Sequence, residues 1–494
     1  MNYLKIAAVL LFFIFTSCSK DTDFLIPGTV DADPNAGVGV QDFMWKAMNY
    51  WYFWQADVPN LADDKFPITA EGSKLYTEFL LSEDNPADFF RNQILFSEDR
   101  FSRFNEDYRI LTQSLAGINK SNGLKFGLIN PSGTNDIYGY VRYVIAGSDA
   151  STKNIDRGDI FTGVNGQALT LDNYRDLLFG DNADTYTLNM ASFQNDEVTP
   201  NSEEIALTKL EGLQENPIFL DKIFEIQGKK IGYLVYHQFL NEYDEQLNEV
   251  FGRFKSAGVN DLVLDLRYNP GGAVNTAVLL GSMIHGTNTN DIFLKAKWND
   301  KYLQVLADRG SDVRRFFKDK TPGGAAINTL GLNTVYVLAT QGSASASELV
   351  INSLDPYMDV VQIGDRTRGK NEFSVTLVDD RDNNYVYTPT RVNKINQNNE
   401  WALLPLAGRN ENSAGFSDYT AGLEPEIPLK EDLANLGVLG DLTEPLLAKA
   451  IEQITGQSAK RDFTVKMPID VFVGSEMFTP TRDNMYANGM LNEK

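Results

Sequence analysis

Residues 261–284 read DLVLDLRYNPGGAVNTAVLLGSMI, and the architecture of the larger part of the chain can be worked out from this stretch. It begins with a nearly continuous apolar run, 261–266, which predicts a strand buried on both faces. Gly271 and Gly272 follow, and the apolar residues after them predict a helix. A buried strand that leads through a glycine turn into a helix is typical of a parallel sheet with helices on both faces.

The same pattern of strand and loop recurs twice downstream. Residues 334–354 read TVYVLATQGSASASELVINSL, and residues 359–371 read DVVQIGDRTRGKN. In open parallel sheets, ligands bind beyond the carboxyl ends of the strands. We therefore expect three loops, 267–273, 341–347 and 366–371, to meet at one edge of the sheet.

These loops carry the groups that a peptide-bond hydrolase needs. Ser345 begins a predicted helix, where the N–H of Ala346 and the positive end of the helix dipole can stabilise an oxyanion. The N–H groups of Gly271–Gly272 can face the same oxyanion. Lys370 supplies an amine, which serves as a base at neutral pH only if burial lowers its pKa.

Each of these features also has a purely structural interpretation. Ser345 and Glu348 fit a helix capping box, in which Glu348 can also help to order the site. The pair Gly271–Gly272 fits a plain strand-to-helix turn, and Lys370 fits a solvated loop lysine. Their occurrence together, in successive strand–loop units, favours the catalytic interpretation.

Other chemistries have few residues to work with, because the chain has two histidines and one cysteine. His237 and His285 both precede Ser345, whereas the histidine of an α/β-hydrolase follows its serine. A calcium loop starting at Asp380 fails because Tyr385 stands where glycine is required. We expect no metal and no cofactor.

The net charge of −23 argues against nucleic acid and against anionic membrane surfaces as ligands. A membrane attachment is predicted only from the N-terminus. Lys5 and the apolar run 6–17 are typical of a signal peptide, and the small residues before Cys18 resemble a bacterial lipobox with Phe15 in the usual place of leucine. The alternative is an incidental cysteine in a signal peptide without lipid. Residues 19–36 predict a polar linker.

Two domains are predicted between the linker and the parallel sheet. Aromatic residues at helical spacing indicate a small helical domain at 37–110. Short alternating strands at 111–215, with Gly158-Asp159 and Asn165-Gly166 at turns, resemble a PDZ domain of the bacterial protease-associated type. A generic β-barrel without a ligand is the alternative. The resemblance assigns a loop that receives a peptide carboxylate to Gly123, Leu124, Lys125 and Phe126.

The strings LDLRYNPGG, GSASASEL and GDRTRGK, in this order, resemble the C-terminal processing peptidases, also called tail-specific proteases. GLEPEIPL (422–429) and EDRFSRFNED (98–107) extend the resemblance to about residues 40–455. It implies a multidomain α+β protein: a helical domain, a PDZ-like domain and a Ser/Lys protease core of crotonase-like (ClpP/crotonase) α/β fold at 216–455. A C-terminal extension, 456–494, would follow.

The resemblance implies that Ser345 is the nucleophile and Lys370 the base, with the oxyanion held by Gly271, Gly272 and Ala346. Three positions depart from the family pattern, namely Arg368, Asn371 and Ser374, where the family usually has a bulky residue, glycine and glutamine.

The sequence thus predicts a lipid-anchored serine endopeptidase, and its lipoprotein signal and aromatic N-terminal helices resemble the versions of this family from Bacteroides-type bacteria. It would face the periplasm or the cell surface and act on polypeptides with accessible C-terminal tails. The alternative is a non-catalytic PDZ-containing binding protein on a decayed protease core.

Overall fold

The computed structural model describes residues 29–131, 133–180, 183–194, 197–457, 462–487 and 491. The predicted signal peptide and Cys18 lie outside this range. Within it, no helix combines the length and the apolar character that a membrane crossing requires.

The N-terminal region is helical and packs on the core that follows. Trp45 and Trp51 are buried, as their helical spacing predicts, and the Trp51 ring lies 4.7 Å from that of Tyr302. The predicted boundary after residue 110 falls inside a helix. The elements are α1 (Gly39–Trp51), α2 (Ala70–Leu80), α3 (Pro86–Gln93), β1 (Arg103–Asn105) and α4 (Tyr108–Leu115).

A small β domain comes next. Its main sheet has the order β3-β4-β5-β7-β8, and β6 pairs with β5. Phe126, Phe161 and Leu188 lie in its apolar core, together with residues of α5. The elements are β2 (Ile118–Ser121), β3 (Leu124–Ile129), β4 (Tyr138–Val144), β5 (Ile160–Val164), β6 (Gln167–Ala168), α5 (Tyr174–Phe179), β7 (Thr185–Gln194), β8 (Glu197–Thr208) and β9 (Leu210–Gln214).

The rest of the chain forms a larger α/β region. Its strands are β10 (Ile218–Ile226), β11 (Lys229–Tyr236), β12 (Asp261–Asp265), β13 (Gly272–Ala273), β14 (Ile292–Trp298), β15 (Arg314–Phe316), β16 (Thr334–Ala339), β17 (Asp359–Gly364), β18 (Glu372–Ser374), β19 (Leu377–Val378), β20 (Ala402–Leu404), β21 (Leu406–Glu411), β22 (Ile427–Pro428), β23 (Val471–Gly474) and β24 (Met485–Tyr486). Its helices are α6 (Asp244–Ala257), α7 (Val274–Ile284), α8 (Asp300–Asp308), α9 (Ala346–Leu354) and α10 (Pro445–Thr455).

The main sheet of this region has the order β10-β11-β12-β16-β17-β22. Every pair from β11 to β22 is parallel. Alternate residues of β12 face opposite layers: Leu262 and Leu264 pack with α6, α7 and α9, whereas Val263 packs with α10. The continuous apolar strands are therefore buried on both faces, as predicted from the sequence.

A second sheet, β13-β24-β18-β21-β14-β15, lies beside the carboxyl ends of the main sheet. The C-terminal segment contributes to two sheets, because β24 lies between β13 and β18 while β23 pairs antiparallel with β3 of the β domain. The chain end thus returns both to the β domain and to the glycine turn after β12.

Candidate active site

The three predicted loops meet at one edge of the main sheet. They follow β12, β16 and β17, which are neighbours in that order. The Ala344 N–H donates to the Asn269 carbonyl oxygen at 3.0 Å, and the Arg368 N–H donates to the Ser343 carbonyl oxygen at 3.0 Å. Backbone hydrogen bonds therefore hold the middle loop to both of its neighbours.

Ser345 stands immediately before α9 in a conformation that L-residues rarely adopt, with φ +65° and ψ −111°. Its side chain is buried, and its Oγ has no hydrogen-bond partner among the described residues. Strained backbone of this kind persists only where the surrounding structure enforces it, and it is concentrated at functional sites. The geometry presents a buried, unpaired hydroxyl at a helix N-terminus.

Gly271 is the residue that lets the two loops approach so closely. Its φ is +108°, and a Cβ atom at this position would lie 2.7 Å from the Cβ of Ser345. Its N–H donates to the Oδ1 of Asn269 at 2.9 Å. That N–H is therefore engaged within its own turn and does not point to an open oxyanion site. Gly272 pairs with Met485 of β24, and Ala346 is the first residue of α9.

Lys370 is 1% exposed. Its Nζ donates to the carbonyl oxygen of Asp483 at 2.6 Å and to the Oδ1 of Asn484 at 3.3 Å. Burial, followed by the positive charge of Arg103, lowers the pKa of Lys370 to about 7, while Asp483 acts in the opposite direction. The amine therefore titrates near neutral pH, which is what a lysine base requires.

Glu348 joins the serine loop to the lysine loop. Its buried carboxylate accepts hydrogen bonds from Ser345 N (2.7 Å), Thr367 Oγ1 (2.5 Å), Gly369 N (2.6 Å) and Lys370 N (2.9 Å). Burial raises the pKa of Glu348 to about 7, and these donors oppose the rise. One side chain thus fixes the backbone of both candidate catalytic residues.

Of the four residues predicted to form a carboxylate-receiving loop, only Gly123 lies outside a strand, whereas Leu124, Lys125 and Phe126 belong to β3. Gly123 has a φ of +85°, and its N–H donates to the Oγ of Ser121 at 3.0 Å. The N–H of Leu124 donates to the Oδ1 of Asn122 at 3.1 Å. The N–H of Phe126 donates to the Oγ of Ser475 at 3.1 Å, and the Nζ of Lys125 forms an ion pair with Glu215 at 2.9 Å.

Both histidines pack against aromatic side chains. His237 is buried with its ring centroid 3.8 Å from that of Tyr143, and burial holds its pKa well below the usual range. His285 packs against Phe317 and Tyr357. The described residues contain no cluster of three or more His, Cys, Asp or Glu side chains that could hold a metal ion.

A buried ionic network lies behind the glycine turn, and sequence reasoning did not find it. Arg267, at 0% exposure, pairs with Asp265 at 2.8 Å and Glu444 at 2.7 Å. It also pairs with Glu431 at 3.2 Å, which in turn pairs with Arg157 of the β domain at 2.8 Å. The only signal in the sequence was an arginine directly after an apolar strand.

Sequence reasoning also missed Arg103, Asp483 and Asn484 as neighbours of Lys370. They come from segments far from the lysine in the chain and were not marked by any apolar periodicity. Arg103 lies in the segment 98–107, whose family resemblance assigns no role to any single residue.

The chain is similar to known proteins in sequence and in fold. Residues 230–400 match the model of peptidase family S41, and residues 39–103 match that of the peptidase S41 N-terminal domain. A crystal structure from Bacteroides fragilis, assigned to the S41 proteases, has 25% sequence identity and a TM-score of 0.61, covering 84% of this chain and 97% of that chain.

Two curated relatives are similar over shorter stretches. A probable CtpA-like serine protease of Staphylococcus aureus is 24% identical over 235 residues, which are 47% of this chain and 41% of the relative. A carboxyl-terminal-processing protease of Picosynechococcus sp. is 24% identical over 268 residues, which are 54% of this chain and 58% of the relative. The chain therefore spans less than two thirds of either relative.

Proposed function

The chain carries the N-terminal and peptidase domains of peptidase family S41, as its motifs predict, and from this premise we propose that it is a serine endopeptidase of the C-terminal processing class. One observation carries the proposal. A buried serine, whose Oγ has no hydrogen-bond partner in the part of the chain that the structure describes, and a buried lysine with a pKa of about 7 stand on neighbouring loops at the carboxyl edge of a parallel sheet.

In the proposed reaction, the neutral amine of Lys370 accepts the proton of Ser345 Oγ as that oxygen attacks a peptide carbonyl. The N–H of Ala346 and those of the Gly271–Gly272 turn stabilise the oxyanion, which requires the Gly271 N–H to leave Asn269. The lysine then gives its proton to the departing amine. Water hydrolyses the acyl-enzyme, with Lys370 again serving as the base.

Glu348 acts in this scheme as a positioning residue. It contacts the backbone N–H groups of Ser345 and Lys370, so it sets the separation of nucleophile and base without touching the substrate. Two of the three departures from the family pattern have side-chain partners, because Arg368 pairs with Asp483 at 3.5 Å and Asn371 donates to the Ser417 carbonyl oxygen. Ser374 pairs with Tyr486 through its backbone, and its buried Oγ has no hydrogen-bond partner among the described residues.

The β domain is proposed to be PDZ-like and to bind the tail of the substrate. Two features support this. The glycine-led loop before β3 places backbone N–H groups at the start of a strand, and that strand has an edge to which another strand adds. For the α/β region we propose the crotonase-like core of this peptidase class, which the β-strand order and the helices on both faces fit.

The proposed enzyme needs no cofactor, and its substrates are exported polypeptides with accessible C-terminal tails. The signal peptide and the lipid anchor at Cys18 belong to the same proposal. They rest on the sequence alone and would place the enzyme on the periplasmic side of a membrane or at the cell surface.

The test is cleavage of β-casein, an unfolded protein, by the chain without residues 1–18. Ser345→Ala and Lys370→Met are the test variants, and Lys74→Met is the matched control because Lys74 is an exposed lysine far from the site in the chain. We expect the parent and the control to cut, and both test variants to lose at least about 10²-fold in rate. Cleavage by Lys370→Met at the parental rate would refute the dyad. A parent that binds C-terminal peptides but never cuts would favour the binding protein.

A further inference from the structure

Residues 471–487, which we term the C-terminal clasp, cover the two sites where the proposed function requires a substrate to bind. These are the edge of β3 in the β domain and the catalytic loops at the glycine turn. The clasp begins at β23 on the β domain and ends just beyond β24 at the glycine turn. It is part of the predicted extension 456–494, to which the sequence assigned no role.

On the β domain, the clasp lies as an added strand. β23 runs antiparallel to β3, with Val471 opposite Ile129 and Val473 opposite Leu128. Two aromatic side chains of the clasp reach α5: the Phe472 ring lies 5.6 Å from Tyr174, and the Phe478 ring stacks at 3.9 Å on Phe179. Addition of a strand to a sheet edge, with side chains in pockets beside it, is how such domains bind peptides.

The clasp also presents an anion where a peptide carboxylate is expected. Both carboxylate oxygens of Glu476 accept from the Nη1 of Arg142, at 3.0 and 3.1 Å, and Arg142 is 5% exposed. The neighbouring Ser475 Oγ accepts from the N–H of Phe126, within the predicted carboxylate-receiving loop. The buried Arg142 and the N–H of Phe126 in β3 are thus both occupied by side chains of the clasp.

At the catalytic loops, the clasp accepts hydrogen bonds from the amine of Lys370, which the proposed reaction needs as its base. Lys370 Nζ donates to the Asp483 carbonyl oxygen and to Asn484, and not to the Oγ of Ser345. β24 pairs in parallel with Gly272–Ala273, so the chain runs along the turn that would hold the oxyanion. A Cβ on Gly271 would lie 3.0 Å from the Asn484 carbonyl oxygen, which shows how closely the clasp covers this turn.

We propose that the C-terminal clasp is an intramolecular ligand that occupies the peptide groove and the catalytic cleft, and that a polypeptide with a free C-terminal carboxylate displaces it by replacing Glu476 on Arg142. This inference rests on the proposed function. The described conformation is then a resting state, in which the serine is unpaired, the lysine is engaged elsewhere and the Gly271 N–H is turned inward.

The competition has a clear physical basis. A tethered segment acts at an effective concentration in the millimolar range, so weak contacts suffice to keep the groove filled. A substrate end competes through its main-chain carboxylate, which can accept charge-assisted hydrogen bonds from Arg142 in place of Glu476. Tails with apolar or aromatic residues close to their C-terminus should bind best, because the adjacent surface of α5 already packs against the rings of Phe472 and Phe478.

The test is a disulfide that locks the clasp onto β3. Val471→Cys and Ile129→Cys replace Cα partners across an antiparallel pair, a separation that a disulfide can bridge. The chain without residues 1–18 has no other cysteine, so oxidation affects this pair alone. The matched control is Thr185→Cys with Thr208→Cys, also Cα partners, on β7 and β8 away from the clasp.

Binding is measured with a fluorescein-labelled peptide, DVFVGSEMF, which copies residues 470–478 and ends in a free carboxylate. We expect oxidation of the clasp lock to weaken peptide binding at least about tenfold and to slow casein cleavage, with reduction restoring both. Oxidation of the control lock should change neither. Equal peptide affinity in the oxidised and reduced clasp lock would overturn the inference, as would a reduced form that binds no peptide.

A single substitution gives a second test that leaves the fold of the clasp intact. Glu476→Gln keeps the length of the side chain but removes the charge that faces Arg142. We expect the labelled peptide to bind this variant several-fold more tightly than it binds the parent, and unchanged or weaker binding would contradict the inference. Peptide binding does not require Ser345, so a lock that blocks binding in a chain that never cuts casein would refute the proposed catalysis and retain the clasp.

Discussion

The rate of peptide cleavage should rise with pH through neutrality, because Lys370 is a base only when its amine is neutral. With a pKa of about 7, the neutral fraction is about 9% at pH 6, one half at pH 7 and about 91% at pH 8. The kcat/KM of the parent should therefore rise about tenfold between pH 6 and pH 8, since kcat/KM reports the free enzyme.

Arg103 provides a direct perturbation of this profile. After burial, its positive charge is the largest cause that lowers the pKa of Lys370. Loss of a neighbouring cation should raise that pKa by about one unit, so Arg103→Leu would leave about a tenth of the amines neutral at pH 7. We expect kcat/KM to fall about fivefold at pH 7 and to return to the parental value above about pH 9. Arg103→Lys keeps the charge and is the matched control.

The assay is hydrolysis of an internally quenched peptide at a series of pH values from about 5.5 to 9.5, with thermal unfolding of each variant recorded at the same values. The reasoning fails if the parental profile is flat between pH 6 and pH 8. It fails equally if Arg103→Leu lowers the rate by the same factor at every pH, because that pattern indicates a structural contribution and not an electrostatic one.

Three further predictions concern stability and the geometry of the loops. Lys370→Met should be more stable than the parent below about pH 7, where the buried amine of the parent is charged in both the folded and the unfolded chain. This difference in free energy of unfolding should vanish towards pH 10.5, because between these pH values only the unfolded parent binds the proton. Urea titrations at pH 6 and pH 10 measure the difference, and a difference that grows with pH would contradict the prediction. Glu348→Gln should lose most activity and about 2 kcal/mol or more of stability, because the amide group cannot accept hydrogen bonds from all four donors. The control Glu372→Gln loses one partly exposed ion pair with Arg409 and should lose less stability in a urea titration. Equal losses of stability in the two variants would count against the role given to Glu348. Gly271→Ala should abolish cleavage, because the new Cβ would lie 2.7 Å from the Cβ of Ser345. The control Gly166→Ala is also at positive φ, but no atom lies within 4 Å of its new Cβ, so it should only lower the melting temperature. Comparable activity in the two variants would show that the contact with Ser345 is unimportant.

The sequence predicts the parallel sheet well because its strands are buried on both faces. The central residues of β12, Leu262, Val263 and Leu264, are all apolar because successive side chains pack against the helices on opposite faces, and the helix after the strand begins at a turn that glycine allows. The meeting of the three loops then follows from the direction of the strands. Ser345, Lys370 and Glu348 could be brought together in this way without knowledge of their distances.

The second sheet could not be predicted in the same way. Its strands β13 and β24 contain two residues each, which is too short for any apolar alternation in the sequence. They pair with each other although more than half of the larger region separates them along the chain. The long strand β8 was missed for another reason, because most of its side chains are exposed and carry no apolar alternation. The surroundings of Lys370 depend on long-range pairings of the same kind, because Arg103 lies in β1, which pairs with β20, and Asp483 lies just before β24.

The ionic network around Arg267 limits how far this protein can be treated as a set of exchangeable modules. Its members come from the strand end before the glycine turn, from the β domain and from the segment that leads into α10. Removing one partner from such a buried group leaves another charge uncompensated, at a cost of about 3–5 kcal/mol. A graft of a foreign β domain should therefore carry an arginine at the position of Arg157, and a chimera that omits it should fail by misfolding, whatever tail the new domain recognises.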